Sequence, residues 1–109
     1  MELDPAAAEL RRYFAGRLPE RLAELEAARA AARDAGWTAE PLRHFHRLAH
    51  SLVGSGATFG YPEVTEQARP LERLLKRCLE DGEGAEDERV EEMLERLRAI
   101  AGPHHRSEE

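Results

Sequence analysis

The sequence predicts an all-α protein, an antiparallel up-down four-helix bundle with an additional short N-terminal helix. Three observations lead there. The composition is 41% hydrophobic and 35% charged, rich in Ala, Leu, Glu and Arg, the signature of helices rather than sheets. Apolar residues recur at helical spacing in segments bounded by proline and glycine, and no run of alternating Val, Ile or Thr supplies a strand. The connections between segments are short, which makes sequence neighbours antiparallel. At 109 residues the chain is read as one domain over residues 1–102, with a flexible tail at 103–109.

The elements follow in order. Asp4-Pro5 is an N-cap followed by proline in the first turn, where its missing N–H does no harm, so a short helix is predicted to about Ala15. Gly16 loosens the chain, and Pro19 suits the start of a second, longer helix whose stripe is Leu22, Leu25, Ala28 and Ala32, ending at Gly36. Thr38 caps a third helix carrying Leu42, Phe45, Ala49, Leu52 and Gly56, stopped by Gly60. The fourth carries Val64, Ala68, Leu71, Leu74, Leu75, Cys78 and Leu79 before Asp81-Gly82. Pro70 lies within it and is expected to bend it, because the ring removes the hydrogen bond to the Glu66 carbonyl. A fifth runs from about Glu86 to Ala101, with Val90, Met93, Leu94, Leu97 and Ile100 inward, up to Gly102-Pro103.

Charge and cysteine content restrict the partners. A net charge of −6 argues against nucleic acid or an anionic membrane surface. Cys78 has no partner for an internal disulfide and sits in a leucine-rich stretch, so it is read as core in a reducing compartment, and a cytoplasmic location is expected. No apolar run approaches the roughly 20 residues that span a bilayer, and the acidic, alanine-rich N-terminus lacks the features of a secretory signal.

Chemistry concentrates in the third predicted helix. His50 lies about 120° from the centre of its apolar face and is therefore exposed. Gly54 stands one turn further on the same face and Ala57 a turn beyond, which strips side-chain bulk from around the imidazole. Gly56 faces inward, where a neighbouring helix can approach closely. His46 and His50 are one turn apart, but no third metal ligand is evident, and no metal is expected. The segment GSGATFG continues a helix instead of following a strand, the wrong context for a phosphate-binding loop.

The stretch HRLAHSLVGSGATFGYPEVTEQARPLE resembles the signature of histidine-containing phosphotransfer domains of two-component phosphorelays. His50, Leu52, Gly54, Ser55 and Gly60 match that signature in order and spacing, and Ala68, Leu71 and Glu72 resemble the helix that follows it. The resemblance implies a phosphocarrier more than an enzyme. His50 would exchange a phosphoryl group with an aspartate of a response-regulator receiver domain and possess no cofactor of its own, with Mg²⁺ on the receiver. A histidine kinase is a second partner it allows. Expected docking residues are His46, Arg47, Val53, Gly54 and Ala57, with Gln67 on the next helix as hydrogen-bond partner of the imidazole.

One position departs from the family pattern. Val53 stands where the family places Lys or Arg, a charge that can neutralise an incoming phosphoryl group. Arg47 and Arg43 are candidate substitutes, and Val53 itself a candidate contributor of apolar docking area. Two further readings stay open: a degenerate module that binds a receiver or kinase without carrying phosphate, and a helical module for self-association.

Overall fold

The computed structural model describes residues 4–101. They form four helices: α1 (Pro5–Asp34), α2 (Ala39–Thr58), α3 (Pro62–Asp81) and α4 (Asp87–Ala101), with no strand among the described residues. Each helix packs against two others around a ring, α1 on α2 and α4, and α3 on α2 and α4. The predicted stop at Gly102-Pro103 and the tail at 103–109 lie outside the described residues.

The separate short N-terminal helix is not observed. Residues expected to form two helices make the single helix α1, 30 residues long, with Pro19 in its interior. Gly16 and Pro19 together penalise a continuous helix by about 4 kcal/mol. Against this, Phe14, Leu18, Leu22, Leu25, Ala28 and Ala32 are all buried at three- and four-residue spacing, and each large side chain gains roughly 1.5–3 kcal/mol from burial. A break at Gly16 would put Phe14 out of register with Leu18, so packing outweighs the local preference. Helix α3 likewise runs unbroken through Pro70.

The ends of the helices follow from their capping residues. Asp4 accepts from the N–H groups of Ala6 and Ala7 at 3.4 and 3.3 Å. Helices α1 and α2 both close in a Schellman motif. Gly36 and Gly60 adopt φ of 74° and 76°, while Trp37 N–H donates to Ala32 O at 2.8 Å and Tyr61 N–H donates to Gly56 O at 2.7 Å. Thr38 occupies the cap position of α2, but its hydroxyl donates back to Ala35 O at 2.9 Å instead of capping.

Aromatic packing fixes the turn between α2 and α3. Phe59 stacks on Phe14 with ring centroids 5.6 Å apart, and Tyr61 tilts against the same ring at 5.8 Å. The Arg11 guanidinium lies 3.9 Å from the centroid of the Tyr61 ring and also donates to Glu63 and to the Gly60 carbonyl. On another face of α1, Arg29 grips Asp87 through two parallel hydrogen bonds of 3.0 and 2.9 Å, and Arg98 joins Glu26 to Glu91. The hydrogen bonds of Asp87 raise the Arg29 pKa above its ordinary value, and Arg29 in turn holds the Asp87 carboxyl below the usual carboxylate range.

Candidate functional site

The α2–α3 pair builds the site, and its close approach depends on Gly56. A Cβ at Gly56 would stand 2.5 Å from Thr65 Oγ1, 2.9 Å from Thr65 N and 3.0 Å from Tyr61 O. With no side chain there, Thr65 enters the interface and its hydroxyl donates to Val53 O at 2.7 Å. The two helices run antiparallel, so Thr65 meets Val53 while Glu72 meets His50 further along.

His50 is exposed, with 70% of its side chain accessible, and its Nδ1 lies 2.9 Å from Glu72 Oε2. A carboxylate oxygen only accepts, so in the neutral imidazole this bond selects the tautomer with the proton on Nδ1 and the lone pair on Nε2. The expected partner Gln67 does not hold this position. His50 and Glu72 are equidistant in sequence from Tyr61, the pivot of the turn, whereas the counterpart of Gln67 across that pivot is Ser55. Glu72 is therefore a site residue that inspection of the third predicted helix alone does not find; reflection about the turn does.

His46 lies beneath this pair. Its ring is stacked on that of His50 with centroids 6.3 Å apart, and its Nε2 is 3.9 Å from Glu72 Oε2, buried and without a hydrogen bond. Burial pushes the His46 pKa below the ordinary histidine value, against the pull of Glu72; His50 and Lys76 add to the depression. The consequence for stability has a definite sign. Below the unfolded pKa of about 6.5 the unfolded chain takes up a proton that folded His46 resists, so stability falls as pH drops towards the folded pKa and then levels. Denaturant midpoints compared across pH 7.5 to 5.5 are expected to fall more steeply for the wild type than for His46→Gln; equal slopes would show that His46 contributes nothing to the acid sensitivity.

The remaining expected docking residues divide. Gly54 and Ala57 are exposed, and a Cβ at Gly54 would meet nothing within 4 Å. Val53 is 8% exposed and belongs to the core cluster, so it offers a partner little surface. Its direction from the α2 axis, about 60° to the α3 side of His50, turns it under the covering helix. Arg47 is exposed, but its guanidinium donates to Glu40 Oε2 at 2.8 Å, and Arg43 donates to the same carboxylate at 3.2 Å. The hydrogen bonds of Arg47 and then Arg43 lower the Glu40 pKa. Both charges are thus drawn towards Glu40 in the first turn of α2, away from His50.

On the other side of His50, Arg21 of α1 donates to Ser51 Oγ at 3.1 Å and to Ser55 Oγ at 3.5 Å. Cys78 is buried, and burial raises its thiol pKa. Among the described residues no group of three or more His, Cys, Asp or Glu is placed to hold a metal ion, and no helix is long and apolar enough to cross a membrane.

In comparisons with known proteins, no curated protein and no solved structure matches the chain. The family model of the Hpt domain matches residues 9–100, from the second turn of α1 to the last turn of α4, and so takes in His50, Glu72 and all four helices. The chain belongs to the Hpt domain family.

Proposed function

We propose that His50 is the phosphoacceptor of a phosphorelay module and that its Nε2 exchanges a phosphoryl group with the aspartate of a response-regulator receiver. Membership of the Hpt family implies phosphotransfer in two-component signalling. The observation that carries the assignment to His50 is its exposed imidazole, with Nδ1 held by Glu72 and Nε2 free.

In the forward step the Nε2 lone pair attacks phosphorus in line. The N–P bond forms as the acyl phosphate P–O bond breaks, and the receiver carboxylate leaves with the electron pair. The Nδ1 proton stays on the ring, where Glu72 accepts its hydrogen bond and stabilises the positive charge that develops on the imidazole. The transition state is loose, so positioning and charge stabilisation dominate. Mg²⁺ on the receiver supplies much of the latter, and the module itself has no cofactor. Docking uses the open surface around Gly54 and Ala57, with His46 and Arg47 at its edge, on a bundle of up-down topology acting in the cytoplasm; a histidine kinase fits the same face.

A second reading is favoured by one observation. With Val53 buried in place of the usual basic residue, a degenerate module would dock a receiver without taking its phosphate. Incubation of the domain with a phosphorylated receiver and Mg²⁺ separates the two. Acid-labile, alkali-stable label on the peptide containing His50 is the expected result. Binding without label would establish the degenerate module, and label on another residue would overturn the assignment of His50.

A further inference from the structure

The missing charge at Val53 raises the question of which cation faces the phosphoryl group. Arg43 and Arg47 are held by Glu40. Lys76 lies with His46, on the α3 side of the site. That is the side to which Nδ1 of His50 is tied through Glu72. The two ring nitrogens point in diverging directions, so the Nε2 lone pair is directed away from Glu72.

Arg21 of α1 comes in from that opposite side. Its guanidinium reaches over to Ser51, the residue next to His50, and to Ser55 a turn further on. Both partners are neutral hydroxyls, and among the described residues no carboxylate lies within ion-pair distance of Arg21. Arg21 thus differs from Arg11, Arg17, Arg29 and Arg33 on the same helix, each of which is held in an ion pair. On the α2 surface, at about 100° per residue, Gly54 points between the direction of His50 and those of Ser51 and Ser55. The ground between imidazole and guanidinium is thus bare, since nothing lies within 4 Å of where a Gly54 Cβ would be.

We infer that Arg21 is the phosphoryl-binding cation of this module: its guanidinium, steadied by Ser51 and Ser55 and separated from His50 by the open surface at Gly54, neutralises the phosphoryl group on Nε2. This rests on His50 being the phosphoacceptor. The role suits arginine, whose planar fork donates two parallel hydrogen bonds to phosphate oxygens. It also explains how the third position after the histidine can be apolar, because the charge comes from another helix.

The test uses phosphoramidate, a small phosphoryl donor that needs no docking surface, alongside a phosphorylated receiver. With phosphoramidate, the N–P bond to Nε2 forms as the donor's own P–N bond breaks and ammonia leaves. Arg21→Gln is expected to slow loading from both donors by roughly tenfold, and with the receiver the loss should appear in kcat more than in KM. Phosphorus NMR should show the ionisation of the bound phosphoryl group moving to higher pH in Arg21→Gln and returning towards wild type in Arg21→Lys. Arg69→Gln, which removes the same charge from the exposed face of α3, should leave both readouts near wild type. Wild-type loading and titration in Arg21→Gln would overturn the inference alone, as would a loss seen only in Arg69→Gln. Absence of phosphate on His50 of the wild type with either donor would instead overturn the assignment of the phosphoacceptor, and the role of Arg21 with it.

Discussion

His50→Gln is expected to remove all phosphoryl uptake from a phosphorylated receiver while leaving the fold and the affinity for that receiver nearly unchanged. The chemical half follows from the side chain: an amide nitrogen shares its lone pair with the carbonyl and is no nucleophile, so no N–P bond forms. The structural half follows from exposure. With 70% of the His50 side chain accessible, little apolar burial is lost, and glutamine can still donate an N–H to the Glu72 carboxylate. Surface substitutions of this kind change stability by about 0.5 kcal/mol or less. Transfer from labelled receiver, thermal unfolding and receiver titration, measured together on the variant, check all three statements. Residual acid-labile label would place the acceptor elsewhere, with exposed His44 the next candidate; a collapsed melting temperature would mean that the His50–Glu72 bond has a larger structural role than its exposure implies.

Much of this arrangement was legible in the sequence, and the failures have a common physical origin. Asp4, Gly36, Gly60 and Gly82 mark element ends because capping and left-handed backbone are local demands that particular residues meet. The exposure of His50 and the inward direction of Gly56 follow from the angular period of a single helix. Gly16 and Pro19 misled for the opposite reason: they report a local penalty, while the continuity of α1 is decided by the stripe from Phe14 through Leu18 to Leu22 packed on other helices. Val53 is buried although its angle on α2 lies close to that of His50, because an angle on one helix does not say which neighbour covers it. Glu72 and Arg21 come from other helices altogether. Both are recoverable by reflecting the chain about its turns, since Glu72 mirrors His50 across Tyr61, and Arg21 mirrors the Ser51–Ser55 region across Gly36–Thr38. A site assembled from three helices therefore becomes readable once turn positions are used as pivots.

The two glycines that follow His50 on α2 are expected to change the stability with opposite signs when replaced by alanine. At Gly56 an added Cβ meets Thr65 Oγ1, Thr65 N and Tyr61 O at 2.5, 2.9 and 3.0 Å. Two of these atoms are backbone and cannot rotate aside, so α3 must move. Overpacking of this kind costs up to about 3 kcal/mol, against roughly 1 kcal/mol regained in helix propensity, a net loss near 2 kcal/mol for Gly56→Ala. For a domain of this size that lowers Tm by roughly 10 °C. Displacement of α3 also loosens the Thr65 hydrogen bond to Val53 O and carries Glu72 away from His50, so phosphotransfer should weaken too. Gly54→Ala meets nothing within 4 Å and should gain up to about 1 kcal/mol, raising Tm by roughly 5 °C. Yet it sets a methyl group on the bare surface between His50 and Arg21, so it should slow transfer while stabilising the fold. Thermal unfolding and transfer rates of both variants decide the matter. Loss of both properties at Gly56 with opposed changes at Gly54 would separate a packing glycine from one that keeps the phosphoryl surface clear, whereas unchanged transfer in Gly54→Ala would leave Gly54 without a role in the chemistry.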